Sequence, residues 1–153
     1  MRVAVDADVM IDALRIRAAR HKRSAEFFRM LLKLDYTPIL SPIVTHELYT
    51  GAYSADNPEK PLPELETLFS KYSIMVEAYT QQMSKVAGEK AALYLSRVKS
   101  VQLLERKRMD IMIGSHAKMS ADAFVTWNKE DYREVGYGDL LIFTPDEFRA
   151  FYK

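Results

Sequence analysis

Apolar residues in this chain gather into short continuous runs separated by longer segments with helical spacing. "RVAVD", residues 2–6, is apolar without strict alternation up to Asp6, the pattern of a central parallel strand covered on both faces. A helix is expected directly after it. Beyond a basic stretch, "SAEFFRMLLKL" has helical periodicity and "TPIL" reads as a second short strand. Ser41 and Pro42 supply an N-cap and a first-turn residue for a helix over "PIVTHELYTGA", which ends near Gly51. "SADNPEKPLP", residues 54–63, concentrates turn formers and predicts a flexible loop, with helical patterning resuming at "ELETLFSKY". "SIMVEAY" predicts an edge strand, residues 80–98 a long helix, "RMDIMIGSHAKM" another helix, and "DAFVTW" and "LLIF" the last two strands. Thr144-Pro145-Asp146-Glu147 has the form of a capping box before a final helix, which explains Glu147 structurally.

Strands alternating with helices predict an α/β layer fold around a mainly parallel sheet, with right-handed crossovers. There is no internal repeat or low-complexity tract, and 153 residues fit one domain, residues 1–153. A chain of this size buries roughly two thirds of its unfolded surface and need not borrow stability from metal or disulfide.

The absence of cysteine removes disulfides, thiolate zinc sites and cysteine nucleophiles together. No apolar run approaches the roughly 18 residues of a membrane span, and "MRVAVDADVM" has acids where a signal peptide needs an apolar core. A soluble cytoplasmic protein is therefore expected. The formal charge of +1 hides segregation: Arg15, Arg17, Arg20, Lys22, Arg23, Arg29 and Lys33 are crowded together. Such a cluster suits a polyanion, or else is simply a solvated helix face.

"VAVDADVMIDAL" places Asp6, Asp8 and Asp12 inside an otherwise apolar run, where uncompensated charge is expensive. In an open α/β sheet, ligands bind at the carboxyl edge of the strands. Asp6 ends the first strand at that edge, Glu47 lies in the first two turns of the helix after the second strand, Asp110 is expected near the start of the helix before "DAFVTW", and Asn128 and Asp131 follow that strand. Asp110 shares a helix face with Ile113, Gly114 and Ala117, and Glu47 with Ile43 and Gly51, so both point along stripes that pack on the sheet. Asp122 begins its strand, at the opposite edge. A helix N-terminus contributes about 0.3 to 1 kcal/mol, too little to hold several like charges together. Clustered carboxylates relieve their repulsion by keeping protons or by holding a cation. An all-oxygen set suits Mg²⁺ or Mn²⁺, which points to phosphoryl chemistry. Asp8 and Asp12 then orient neighbours or bond backbone amides. The plainer alternatives are a turn or cap role for Asp6, an N-cap role for Asp110 and a marginal helix position for Glu47.

Taken in order, "VAVDADVMID", "SPIVTHELYTGA", "RMDIMIGSHA" and "ADAFVTWNKEDY" resemble the blocks of PIN-domain nucleases, notably VapC-like toxins, over nearly the whole chain. The resemblance implies a PIN-like three-layer α/β/α sandwich and a Mg²⁺- or Mn²⁺-dependent endoribonuclease, often homodimeric, inhibited by an antitoxin protein in toxin members. It places the family's acids on Asp6, Glu47 and Asp110 as metal ligands, and the fourth polar position on Asn128. Asn128 brings no charge, so either Asp131 substitutes or the site has only three carboxylates. Asp8 stands where the family commonly has a smaller polar residue. Asp6, Glu47, Asp110, Asn128 and Asp131 are thus the candidate catalytic residues, with Asp8 and Thr126 in support. Lys129 or Arg133 is expected to contact the RNA backbone, with Arg15 to Lys33 and "ERKR" at residues 105–108 as basic surroundings. Trp127 either stacks an unpaired base or is partly buried beside the site.

Two rivals remain. "VAVDADVM" and "FVT" also match a haloacid-dehalogenase-type phosphatase, but too little chain follows for its later acidic motif. A non-catalytic RNA- or protein-binding module of the same fold is the second. His21, His46 and His116 lack a nucleophile-elbow motif, and "GYG" is a lone glycine pair. "LPELETLFSKY" offers a dimer surface, although Leu62, Leu65, Leu68, Phe69 and Tyr72 have the spacing of core residues.

Overall fold

The apolar run after Arg2 forms strand β1 (Arg2–Val5), with Val3, Ala4 and Val5 buried, in a computed structural model that describes residues 1–152. Asp6 turns the chain into α1 (Ala7–Leu14), and α2 (His21–Lys33) returns it to β2 (Thr37–Leu40). Ser41 then caps α3 (Pro42–Tyr53) through a hydrogen bond from Val44 N at 3.1 Å, with Pro42 in the first turn. α4 (Pro61–Lys71) leads into β3 (Met75–Val76), α5 (Gln81–Val98) and α6 (Val101–Ser120), and then into β4 (Ala123–Val125). α7 (Lys129–Glu134), β5 (Ile142–Phe143) and α8 (Pro145–Phe151) complete the described chain. The capping box expected at Thr144 is present, with Glu147 N donating to Thr144 Oγ1 and Thr144 N to Glu147 Oε2.

The sheet order is β3-β2-β1-β4-β5, and every pairing is parallel. The chain moves outward from β1 to β3, crosses back through α5 and α6, and lays β4 on the other side of β1. Right-handed crossovers carry these two series of helices to opposite faces, giving the three-layer α/β/α sandwich. α2 packs against α1 and α8 in one layer, and α6 against α5 and α7 in the other. The strand order reverses between β1 and β4, so the crevice at their carboxyl ends is the topological switch point of the sheet. Its walls begin at Asp6 and Thr126.

Three local expectations are adjusted. The helix carrying Asp110 starts at Val101, capped by Ser100 Oγ, which accepts from Leu103 N at 3.3 Å. Asp110 therefore lies in the middle of a long helix rather than near its start, out of reach of the terminal dipole. The break before this helix falls at Lys99, in left-handed geometry at φ 52°, where no glycine or proline announces it. α4 begins at Pro61 rather than Glu64, because proline is well suited to a first helical turn. In "LPELETLFSKY", Leu65 and Tyr72 are buried and Leu68 and Phe69 pack partly against the same core, so this stripe belongs chiefly to the interior.

Candidate active site at the carboxyl edge of the sheet

Asp6 sits where β1 becomes α1, and its carboxylate is almost fully buried. Oδ1 caps the helix by accepting from Ala7 N at 2.8 Å. Oδ2 accepts from Thr126 Oγ1 and from Tyr132 Oη, each at 2.8 Å. Burial raises the Asp6 pKa, and these donors oppose the rise because they bond to the charged form.

Asp8, two residues into the chain after Asp6, faces the same crevice from the first turn of α1. Its Oδ2 accepts from Trp127 N at 3.0 Å and lies 3.3 Å from Thr126 Oγ1, so Asp8 ties the loop after β4 to α1. Its Oδ1 is buried without a hydrogen-bond partner among the described residues. Burial, then the Asp6 charge, push the Asp8 pKa up to about 7. Asp12 has a different solution: Arg20 Nε lies 2.7 Å from its Oδ2, and its backbone carbonyl accepts from His21 Nδ1 at 3.1 Å. Asp12 thus belongs to the α1–α2 junction.

Glu47 on α3 and Asp110 on α6 approach from the flanks, both partly buried. Burial raises Glu47 to about 7, and the Asp6 and Asp110 charges push in the same direction. Asp110 rises to about 6 through burial, opposed by Lys107 and reinforced by Asp131 and Asp6. The shared face expected for Asp110 is real: Ile113, Gly114 and Ala117 are all buried, and Gly114 allows the Tyr137 ring to lie directly on α6. The Asp6 charge is therefore felt at both Glu47 and Asp110, and the Asp131 charge at both Asp6 and Asp110, despite their separation in sequence.

The later positions divide. Thr126 is buried, and besides donating to Asp6 it accepts from Asn128 N at 3.0 Å. Asn128 is exposed at the start of α7, and its side chain does not cap that helix. Asp131 points to Lys107 Nζ at 2.5 Å. Lys129 and Arg133, expected to contact a nucleic-acid backbone, are paired with Glu147 and Glu130. Trp127 is partly buried: its Nε1 donates to Ser24 Oγ at 3.2 Å, and the Arg20 and Arg23 guanidinium groups lie 5.1 and 4.8 Å from its ring centre. Asp122 is at the other edge of the sheet, accepting from Arg2 N at 2.7 Å.

Two participants were missed by the sequence reading. Tyr132 is buried with its hydroxyl on Asp6, and the only hint was an aromatic residue next to Asp131. Lys107 was visible only as one of the four residues of "ERKR". Beside Glu47, a cavity of about 130 Å³ opens between α1, α3 and α4, lined in part by Ile11, Arg15, Leu48 and Leu65.

The donor set offered to a cation is entirely oxygen. Among the described residues, no three Asp, Glu or His side chains stand close enough to clasp one ion by themselves. Such an arrangement fits Mg²⁺, which keeps several waters and takes few direct carboxylates, better than an ion needing a closed protein cage. The unpartnered Asp8 Oδ1, and the burial and like charges that raise the pKa of Glu47 and Asp110, favour either a proton or a cation on these groups.

No protein-family model matches the sequence. No curated protein matches it either. Solved structures do match. The DNA-bound VapBC of Salmonella typhimurium aligns with a TM-score of 0.75 at 21% identity, over 95% of this chain and 98% of that one. VapBC2 of Rickettsia felis, bound to a DNA fragment from its promoter, aligns with a TM-score of 0.74 at 19% identity, over 94% and 98% of the two chains. FitAcB of Neisseria gonorrhoeae gives 0.69 at 18% identity, over 94% and 97%. No described helix is long and apolar enough to cross a membrane. With its five parallel strands and enclosing helices, the chain has the PIN-domain fold found in VapC structures.

Proposed function

We propose that this protein is a Mg²⁺- or Mn²⁺-dependent endoribonuclease that hydrolyses RNA phosphodiester bonds, and that it is the toxin of a toxin–antitoxin pair. The observation that carries this reading is the convergence of Asp6 at the end of β1, Glu47 on α3 and Asp110 on α6 at the switch point of the sheet, where the Asp6 charge raises the pKa of both others. Asp6 caps α1 and Asp110 pairs with Lys107, but neither role accounts for Glu47 facing the same crevice, whereas a hard divalent cation gives all three a common partner. When bound, such an ion lowers the pKa of a coordinated water and neutralises charge on the scissile phosphate.

The chain's own residues supply the rest. Tyr132, Thr126 and Ala7 N take three of the acceptor positions of Asp6 and fix its orientation, leaving Oδ1 able to accept once more. Asp6 and Asp110 are the direct ligands in this reading, and Glu47 acts directly or through water. Asn128, whose side chain is exposed and does not cap α7, orients a water or a phosphate oxygen. Arg15 and Arg17, exposed after α1, offset the repulsion between an acidic site and a polyanion. The antitoxin partner is inferred from the structural neighbours, which are toxin–antitoxin complexes. Homodimerisation is part of the same proposal.

The test is cleavage of single-stranded RNA with Mg²⁺ or Mn²⁺, comparing wild type with Asp110→Asn. Metal-dependent cleavage that falls at least a hundredfold in the variant is expected. Cleavage that survives the substitution would remove Asp110 from its role. The engagement of Asp110 by Lys107 favours one second reading, a non-catalytic RNA-binding module. RNA binding without metal and without cleavage would establish it.

A further inference from the structure

Asp110 and Asp131 share one ammonium group. Lys107 Nζ lies 2.5 Å from Asp131 Oδ1, 3.1 Å from Glu134 Oε2 and 3.6 Å from Asp110 Oδ2, and the lysine side chain is only 18% exposed. Lys107 and Asp110 are one turn apart on α6, while Asp131 and Glu134 are one turn apart on α7. The lysine is therefore wedged between two helices and gripped from both. A lysine so covered loses much of its hydration, which is tolerated only because several carboxylates replace it. None of its ion pairs reaches Asp6 or Glu47. Asp110, Asp131 and Glu134 thus have a cation already among them, whereas Asp6 and Glu47 have none within ion-pair distance among the described residues, although the Asp131 charge is felt at Asp6 as well as at Asp110.

Phosphoryl-transfer sites that use two divalent ions hold them about 3.5–4 Å apart. Asp110 is the acid common to both sides: it pairs with Lys107, and its charge is felt at Glu47. Resting on the metal-dependent reading above, we infer that Lys107 stands in for a second divalent ion between Asp110 and Asp131, so that the site takes one ion, on the side of Asp6 and Glu47. A second divalent ion here would have to expel the ammonium from three carboxylates while lying next to it, and like charges at that separation repel strongly. Asp131 then anchors the lysine and is no metal ligand, which leaves Asn128 as the polar group at the fourth position of the site. Lys107 is a positioning residue: it neutralises one flank of the crevice and holds Asp110 in place.

The experiment counts Mn²⁺ bound per chain by electron paramagnetic resonance and titration calorimetry, using the full chain. Wild type is expected to bind one ion, K107M and K107Q two, and K107R one, with circular dichroism confirming that each variant folds. K107Q keeps a polar group of similar reach, so it carries the test if K107M does not fold. Two ions on wild type would overturn the inference while leaving the metal centre in place. One ion on folded K107M and K107Q would do the same. No ion on any of the proteins would overturn the metal-dependent reading itself, and this inference with it.

Discussion

The hydroxyl of Tyr132 donates to Asp6 Oδ2 at 2.8 Å across 126 residues of sequence, joining α7 to the end of β1 inside the protein. The Tyr132 ring also meets Phe124 edge-on, with centroids 4.7 Å apart. One side chain therefore supports the sheet by packing and the central acid by hydrogen bonding.

Tyr132→Phe separates the two roles, since the ring remains and only the hydroxyl is lost. Asp6 keeps Thr126 and Ala7 N as donors but loses a third of its support. A hydrogen bond to a charged group is worth about 1.5–3 kcal/mol, so urea denaturation at pH 8 should show a loss of roughly that size. A loss under about 0.5 kcal/mol would mean that the bond does little for Asp6.

Without divalent cations, stability should fall as pH rises through neutrality. Glu47 and Asp8, both raised to about 7, and Asp110, raised to about 6, keep protons in the folded state at pH values where the unfolded chain has lost them. The folded state binds more protons there, so stability falls with pH until these groups ionise. His116 acts in the opposite direction: buried against Glu77 O, its pKa is depressed to about 4, and its influence ends near pH 6.5. The window from about pH 6.5 to 8 therefore isolates the carboxylates. A loss on the order of 1 kcal/mol, after allowing for solvent screening of Glu47, is expected across it in the presence of EDTA. Glu47→Gln should flatten the slope, and a stability that rises with pH in this window would contradict the placement of these acids.

Gly114 is required by the close approach of Tyr137. A methyl group there would run into the Tyr137 ring, which is fully buried and whose hydroxyl donates to Ile111 O at 2.7 Å. Neither the ring nor the helix can give way cheaply, so Gly114→Ala should destabilise by about 1–3 kcal/mol. Asp110 stands one turn earlier on the same face, so Mn²⁺ affinity should also weaken, by calorimetry. Unchanged stability would show that Tyr137 can relocate.

The order of the strands and of the helices other than α7, the caps at Ser41 and Thr144, and the arrival of Asp6 and Thr126 at one edge of the sheet were determined by the sequence alone, whereas the short helix α7 between β4 and β5 was not. The features so determined depend on residues within a turn of each other, or on the few ways a parallel sheet can be wound. The face of Asp110 was legible for the same reason, through Ile113, Gly114 and Ala117, but its place in mid-helix was not, because the break at Lys99 has no local signature. Only the tertiary structure decided which partners the charges take. Asp12 goes to Arg20, Asp131 to Lys107, and Asp6 to Tyr132. Each choice is a contact between separate elements, set by how helices pack across a sheet, and side-chain periodicity carries no information about which of many lysines or tyrosines will arrive there.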